Sequence, residues 1–308
     1  MKRGSRPHAD LTSNIRVSSS ILDVELVETL ADDPRLQWRP RGKLTHSHMS
    51  ELPPAIFADW LAALEARHLA DLRFQEVTRA LRALSAAYVE RRGAGRDRPA
   101  VHGTLDTAGK RAAFALFYAP LHFLTTYFVV LKSGAESPPP SQILDLGCGT
   151  GAAGAAWSIA AGAASSVTGL DRHPWAVDEA RRTYADLGID GRARQGDVAR
   201  FPDVRPGGAI VAGYVLNELP EAARRQVEDR LLAAAAKGVQ VLVLEPIARG
   251  VTPWWDATAA RFQAAGGRAE EWRFQVALPP LLRLFDKAAG LNHREMTARS
   301  LYCPARTG

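Results

Sequence analysis

The sequence predicts a doubly wound α/β fold, in which a mostly parallel seven-stranded sheet carries helices on both faces and follows an N-terminal helical region. An apolar strand from Ile143 to Leu146 runs straight into a glycine-rich turn, and an alanine-rich helix begins at once. Strand and helix patterns then alternate to the end of the chain, which is typical of βαβ units. Ahead of them, apolar residues recur at helical spacing from Pro53 to Arg92.

Composition and charge are ordinary for a soluble globular protein. Of 308 residues, 46% are hydrophobic and 23% charged, so the chain can bury a sizeable core. The formal net charge of +6 allows an acidic partner such as RNA, although only six of the 39 basic residues are lysines. Two cysteines alone cannot build a zinc or iron–sulfur site, and His46 and His48 lack a third ligand nearby. We expect a cytoplasmic protein without a bound metal.

Three regions are expected along the chain. Residues 1–20 form a disordered basic tail, residues 21–136 a helical cap, and residues 137–308 the domain that contains the glycine turn. Ser137 to Ser141 is a proline-rich, stiff linker between the last two. Within the cap, the run from Ala112 to Leu131 approaches the length of a membrane span, but polar residues and Pro120 interrupt it. A buried helical hairpin, or two helices kinked at Pro120, is favoured over a membrane contact.

After the linker, the elements follow in regular order. Strands are predicted near 142–146, 166–170, 191–195, 208–213, 239–244, 271–277 and 295–302. Helices are predicted near 152–162, 174–187, 220–236, 254–265 and 279–289. The last two strands are expected to form an antiparallel edge.

The glycine turn indicates a nucleotide-like ligand. Gly147, Gly149 and Gly151 let the backbone turn tightly and approach a ligand closely, while the next helix directs its free N–H groups into the same space. A dinucleotide site uses similar glycines for a pyrophosphate. Asp145, just before the glycines, would repel a pyrophosphate but suits an amino group. A purely structural turn is the remaining alternative.

The segment Asp-Leu-Gly-Cys-Gly-Thr-Gly, residues 145–151, resembles the first motif of class I S-adenosylmethionine-dependent methyltransferases. The resemblance implies a Rossmann-like fold, S-adenosylmethionine as cofactor and an enzyme that transfers its methyl group. It also implies that this segment contacts the cofactor through Asp145, Gly147, Cys148, Gly149, Thr150 and Gly151.

Two further acids follow the next two strands. Asp171, beside Arg172, ends the second strand about twenty residues after the glycine turn, where an acid can accept both ribose hydroxyls of an adenosine. A helix cap ahead of Pro174 is compatible with that role. After the third strand, the resemblance implies that Asp197 accepts from the adenine amino group and that Val198 packs on the ring. An ordinary turn residue is the competing interpretation of Asp197.

The fourth strand leads into the side of the site where the methyl acceptor is usually bound. Tyr214 is predicted to flank the cofactor, and Asn217 and Glu218 are the candidate catalytic residues, which would orient a nucleophile or accept its proton. Alternatively, Asn217 caps a helix that begins near Pro220. Glu245, after the fifth strand, either lines the acceptor pocket or is a surface acid that stops the strand before a proline, and the second is slightly favoured.

Several substrates are disfavoured or left open. The loop after the fourth strand lacks the Asn-Pro-Pro-Tyr pattern of enzymes that methylate exocyclic adenine nitrogens, and it lacks the cysteine needed for carbon-5 pyrimidine methylation. Residues from about 75 to 260 resemble, more distantly, the methyltransferase-like family associated with the mitochondrial ribosomal small subunit, without its Cys-rich segment. That resemblance implies an RNA or ribosomal acceptor, or an RNA-binding or assembly factor without turnover.

A small-molecule acceptor is the third possibility, because an N-terminal helical cap is common in such enzymes. The aromatic stretch of the cap is expected to be core or to fold over the cofactor as a lid; its members are Phe114, Phe117, Tyr118 and Phe123.

Overall fold

The computed structural model describes residues 45–48, 55–93, 105–162, 165–275, 277–291 and 293–305. The predicted tail, 1–20, lies outside these residues. Of the predicted helical cap, the structure contains one short strand and three helices: α1 (Ala55–His68), α2 (Phe74–Gly93) and α3 (Ala108–Ser133). The uninterrupted helical pattern predicted for 53–92 is therefore divided at 69–73. The division has a local cause, because the Glu76 carboxylate accepts from the Arg73 N–H at 2.7 Å and caps the start of α2.

Helix α3 corrects the prediction of a hairpin or of two kinked helices. It is continuous over 26 residues and contains a π-helical turn at Phe114–Tyr118, directly ahead of Pro120. A wider turn accommodates a residue that cannot donate a backbone hydrogen bond, so the helix passes Pro120 without ending. By length and composition α3 could cross a membrane, yet 78% of its apolar window is buried inside the protein. It is packed as a core helix.

The sheet confirms the predicted fold class. Its strands are β1 (Thr45–His48), β2 (Gln142–Leu146), β3 (Ser166–Asp171), β4 (Gly191–Gln195), β5 (Ala209–Gly213), β6 (Gln240–Glu245), β7 (Arg268–Gln275) and β8 (Met296–Cys303). Their order across the sheet is β1-β7-β8-β6-β5-β2-β3-β4. All neighbours are parallel except where β8 runs antiparallel to β6 and β7. The seven predicted strands are β2 to β8, and they lie next to one another in the sheet.

The last two strands pair antiparallel, as predicted, and they lie at one edge of the seven predicted strands, with β8 between β7 and β6. One detail of the sheet differs from the prediction. The eighth strand, β1, pairs in parallel with β7 and lies within the stretch predicted to be helical. Four residues are too few to show a strand period, so only the free edge of β7 determines that they pair.

Helices cover both faces of the sheet, as the doubly wound prediction requires. Helices α4 (Ala152–Ala160) and α5 (Pro174–Asp186) pack on one face with α3, and α6 (Glu221–Ala236) and α7 (Trp255–Ala264) pack on the other. Helix α8 (Pro280–Ala289) joins β7 to β8 and contacts α2. Trp157 and Trp272 are fully buried, and each indole N–H has an acceptor, in Ala135 and Ser300 respectively. They are core residues, as tryptophans of this kind usually are.

The N-terminal helices share one apolar core with the sheet. Phe57 and Trp60 of α1 contact Phe123 of α3, and the same buried cluster continues to Tyr184 of α5. Charges add a second tie between α1 and α5. The fully buried Glu179 accepts from Arg67 Nε at 3.1 Å, and its carboxylate lies 3.0 Å from His68 Nε2. The division of the chain at residue 137 into two domains stays a prediction.

Replacing Glu179 with alanine should lower the free energy of unfolding by about 1–3 kcal/mol, because Arg67 and His68 lose a fully buried partner while Arg67 keeps its ion pair with Asp186. The matched control is the preceding residue. Asp178 pairs with Arg181, three residues further along the helix, but both side chains are more than half exposed. Asp178→Ala should change the free energy of unfolding by no more than about 0.5 kcal/mol. Urea denaturation followed by circular dichroism measures both, and equal losses would contradict a role for the buried ion pair.

Candidate functional site

The candidate site lies at the carboxyl ends of the parallel strands, where the order of the strands reverses. From β2 the chain moves outward through β3 and β4, and then returns to place β5 on the other side of β2. The connections leaving β2 and β5 therefore diverge and open a crevice between them. In open α/β sheets, ligands bind in the crevice at this switch point.

The glycine turn between β2 and α4 has a backbone that only glycine adopts easily. Gly147, Gly149 and Gly151 have φ angles of +62°, +51° and +82°. At Gly147 a side chain is also excluded by space, because a Cβ atom would lie 2.4 Å from Val215 Cγ2. The turn therefore brings bare backbone to the crevice, as predicted. Cys148 and Thr150, between the glycines, are buried.

Asp171, at the end of β3, holds the glycine turn in place. One carboxylate oxygen accepts from the Gly149 N–H at 2.9 Å, and the other accepts from the His173 N–H at 2.8 Å. The side chain is buried and bonds to the backbone just ahead of α5, but the N-cap of that helix is His173, so the interpretation of Asp171 as the cap residue is wrong. The same acid is thus linked to the turn and adjacent to the crevice. Its role toward a ribose stays a prediction.

Asp145, at the end of β2, is a buried carboxylate that is only half satisfied. Its Oδ2 accepts from the Gly154 N–H of α4 at 2.8 Å, whereas its Oδ1 is buried without a hydrogen-bond partner. Burial raises the pKa of this carboxyl to about 7, and the charge of Asp171 adds to the increase, while the bond from Gly154 opposes it. A cationic donor would satisfy the free oxygen and stabilise the ionised form.

The strand β4 ends at the same edge of the sheet, and the acid that follows it, Asp197, is less buried than Asp145 and Asp171. Asp197 is exposed, and its Oδ1 accepts from the Ala199 N–H at 2.9 Å, so it caps the short 3₁₀ turn Val198–Arg200. Val198 is buried behind it. The two acidic loops are adjacent, because the Gly196 N–H donates to the Asp171 carbonyl at 2.9 Å. Arg172 is exposed beside them.

The loop after β5 is held by Glu245, which the sequence placed wrongly. Glu245 is completely buried and is not a surface acid. Its Oε1 accepts from the N–H groups of Leu216 and Asn217 at 2.9 and 3.2 Å, and its Oε2 has no hydrogen-bond partner. Burial raises the pKa of this carboxyl well above its usual range. The acid therefore fixes the loop that contains both candidate catalytic residues.

Asn217 and Glu218 lie in the 3₁₀ turn Leu216–Glu218, ahead of α6. Asn217 does not cap that helix, since Pro220 occupies the cap position, so the capping alternative is wrong. The Oδ1 atom of Asn217 is buried without a hydrogen-bond partner. Tyr214, three residues earlier, has φ +58° and is the one non-glycine residue with positive φ in the described part of the chain. Such a backbone costs on the order of 1–3 kcal/mol and is concentrated at functional sites.

Sequence reasoning missed one residue of the crevice, His122, and gave Phe114 only a general role in a lid. The Phe114 ring lies beside the glycine turn, 3.6 Å from where a Cβ of Gly149 would be. The imidazole of His122 stacks on Tyr214, with ring centroids 4.3 Å apart and planes 20° apart. In the sequence, His122 is only a polar interruption of an apolar helix, so no local pattern marks it.

The π-helical turn explains how one helix places both rings at the crevice. His122 lies eight positions after Phe114. On a regular α-helix, that spacing rotates the second side chain by roughly 80° about the helix axis relative to the first. A π-helical turn absorbs one extra residue, which reduces the rotation to roughly the 20° of a seven-residue spacing. The two rings accordingly share a face, with centroids 6.1 Å apart. In the part of the chain that the structure describes, no group of three or more His, Cys, Asp or Glu side chains could hold a metal ion.

Replacing Asp145 with asparagine should make the cofactor-free protein less sensitive to pH. The folded-state pKa of about 7 lies above the ordinary value of 3.8, so between these values the folded state retains a proton that the unfolded state releases. The stability of the natural protein should therefore fall by about 1.4 kcal/mol per pH unit as the pH rises through this window, and level off above it. Asparagine keeps an acceptor for the Gly154 N–H and does not titrate.

Urea unfolding at pH 5, 6, 7 and 8 measures both proteins. The stability of the variant relative to the natural protein should increase from pH 5 to pH 7 and then stay constant. A difference that is independent of pH would show that Asp145 is ionised in the folded protein throughout this range.

Comparison with known proteins shows what this site is similar to. Residues 143–238 match a family model described as a methyltransferase domain. Over 110 residues, the chain is 37% identical to carboxy-S-adenosyl-L-methionine synthase from Chromohalobacter salexigens, a match that covers 35% of this chain and 40% of that protein. The chain thus aligns with less than half the length of this relative.

Solved structures with a similar fold include the YcgJ protein from Bacillus subtilis. It is 14% identical, with a TM-score of 0.40, and the match covers 60% of this chain and all of that one. A SAM-dependent methyltransferase from Aquifex aeolicus is 17% identical, with a TM-score of 0.38 and coverage of 57% and 87%. The family match covers the glycine turn, the three acidic strand ends and the loop that contains Asn217. Over residues 143–238, the chain is therefore similar to a methyltransferase domain.

Proposed function

We propose that this chain is an S-adenosylmethionine-dependent methyltransferase whose acceptor is a small molecule. The observation that carries the proposal is the pair of buried carboxylates, Asp145 and Asp171, on either side of the glycine turn. Negative charge on Asp145, directly before the glycines, disfavours a pyrophosphate. The free Oδ1 of Asp145 suits the ammonium group of a methionine moiety instead.

The residues at the crevice fit the rest of such a cofactor. Asp171 would accept from the ribose hydroxyls, since a carboxylate has lone pairs beyond the two that its backbone contacts use. Asp197 and Val198 would bind the adenine, and Arg172 lies beside the ribose end. The glycine turn supplies bare backbone, and Tyr214 borders the crevice on the β5 side.

The bound cofactor supplies a methyl group that its sulfonium already activates. The chain therefore has to align the acceptor with that methyl group and exclude water, and alignment of this kind accounts for roughly 7–11 kcal/mol of a barrier. Glu245 fixes the loop of Asn217 and Glu218 through two backbone hydrogen bonds. The Oδ1 atom of Asn217 would then orient an N–H or O–H of the acceptor, and Glu218 would accept its proton.

The covering of the crevice supports a small acceptor. Helix α3 places Phe114 against the glycine turn and His122 against Tyr214, which narrows the approach to the rim. The name of the Chromohalobacter relative also refers to a small product rather than to a nucleic acid. The net charge of +6 supports the alternative, an RNA-binding or ribosome assembly factor without turnover, related to the family of the mitochondrial ribosomal small subunit. We propose a cytoplasmic location, because a chain with two cysteines in 308 residues suits a reducing compartment.

Isothermal titration calorimetry with S-adenosylmethionine, S-adenosylhomocysteine and NAD tests the cofactor. The first two should bind and NAD should not, because its pyrophosphate would meet the carboxylate of Asp145. Binding of NAD alone would overturn the proposal. Retention of ribosomal RNA at about 0.15 M salt, without methyl transfer to it, would favour the assembly factor.

Replacing single acids tests which of them holds the cofactor. Asp171→Ala should weaken S-adenosylmethionine binding by at least roughly tenfold and should also lower the Tm, because the Gly149 and His173 N–H groups lose their acceptor. Asp197→Ala removes an exposed acid and should weaken binding with little change in Tm. Calorimetry and thermal unfolding measure the two effects separately. Unchanged affinity in Asp171→Ala would remove the ribose assignment.

A further inference from the structure

Several buried polar atoms at the crevice have no hydrogen-bond partner. Among the described residues they are Asp145 Oδ1 on β2, Asn217 Oδ1 after β5, Glu245 Oε2 on β6 and His122 Nε2 on α3. Leaving such an atom unpaired destabilises the protein unless a ligand supplies the missing partner. Three of these atoms are side-chain oxygens and the fourth is a ring nitrogen, which indicates a ligand that brings hydrogen-bond donors or positive charge.

His122 differs from the other three because its ring is held by aromatic contacts alone. It stacks on Tyr214, and the rings of Phe114 and Tyr118 lie 6.1 and 6.4 Å from its own. The Tyr214 ring is itself fixed by a hydrogen bond to Thr125, one turn further along α3. The imidazole is therefore held by its face, and the Nε2 atom on its edge is buried without a hydrogen-bond partner.

Burial also determines the charge of this ring. It lowers the pKa of His122 to about 4, so the imidazole is neutral at physiological pH. A neutral imidazole has one ring nitrogen with a free lone pair. A lone pair in a buried position attracts a cation, whereas a charged imidazolium would repel it.

The position of His122 along the sheet determines which end of a bound cofactor it meets. Asp171, on the β3 side of β2, marks the adenosine end, whereas Tyr214 follows β5 on the opposite side of β2. His122 stacks on Tyr214 and Phe114 reaches the glycine turn, so this face of α3 spans the gap between β2 and β5. A cofactor with its ribose on Asp171 and its ammonium group on Asp145 would hold its sulfur near the end of β2, with its methyl group free to point into that gap.

We propose that His122 faces the methyl sulfonium of the bound cofactor in the tautomer that leaves a lone pair on Nε2, and that this lone pair makes the site prefer the charged cofactor over its neutral product. The inference rests on the proposed function. Tight binding of the product would otherwise slow turnover, because S-adenosylhomocysteine retains the adenosine and amino acid parts of the cofactor. A lone pair at the sulfur favours only the form that carries the positive charge.

The test compares the affinities of S-adenosylmethionine and S-adenosylhomocysteine, measured by calorimetry at pH 7.5. The two compounds differ by one methyl group and one charge. In His122→Phe the ring keeps its stack on Tyr214, but its edge now carries hydrogens with partial positive charge. The affinity for S-adenosylmethionine should fall roughly tenfold, and that for S-adenosylhomocysteine should change by less than about twofold.

Two further variants separate this effect from a structural one. His122→Gln supplies an amide oxygen and should recover most of the lost preference. Tyr118→Phe alters a neighbouring ring of the same helix whose hydroxyl bonds to Ser85 of α2, and it should leave the ratio of the two affinities unchanged. A ratio unaffected by His122→Phe, or shifted equally by Tyr118→Phe, would overturn the inference. Failure of the natural protein to bind either compound would instead overturn the proposed function.

Discussion

Two hydrogen bonds from backbone to carboxylate hold the glycine turn, and the geometry of the crevice depends on them. Asp171 reaches across from β3 to the Gly149 N–H, and Asp145 reaches from β2 to the Gly154 N–H. The second contact needs a glycine at its donor, because a Cβ at Gly154 would lie 2.9 Å from the Asp145 oxygen. The turn is thus fixed from two strands at once. Its shape follows from the register of the sheet rather than from the turn residues alone.

This arrangement has an energetic cost at the crevice. Asp145 and Glu245 are fully buried carboxyls whose pKa values are raised by burial, and each has one oxygen without a hydrogen-bond partner. Tyr214 adds a left-handed backbone. Other buried polar atoms also lack a partner, Trp60 Nε1 and Thr297 Oγ1 among them, so the crevice is distinguished by its two buried carboxyls and its strained backbone rather than by unpaired atoms alone. Such a combination is expected where a ligand completes the hydrogen bonding.

The sequence predicted the features that depend on local patterns. Apolar strands that end in acids or glycines placed seven strands, and the acids Asp145, Asp171 and Asp197 lie at neighbouring strand ends as expected. Features set by tertiary contacts could not be predicted. Whether Glu245 lies at the surface or beneath a loop depends on a backbone segment 28 residues away. The strand β1 depends on the free edge of β7, which no local pattern reveals.

The π-helical turn also affects how related chains must be aligned. Phe114 and His122 share one face of α3 only because the turn takes up one extra residue between them. In a relative that forms this helix without such a turn, the two rings would have to be seven positions apart, one fewer than here, to cover the same crevice. An alignment without a gap would then pair His122 with a neighbouring position that faces elsewhere. The equivalent of this histidine is identified by superposition of the helices, after the extra residue is treated as an insertion.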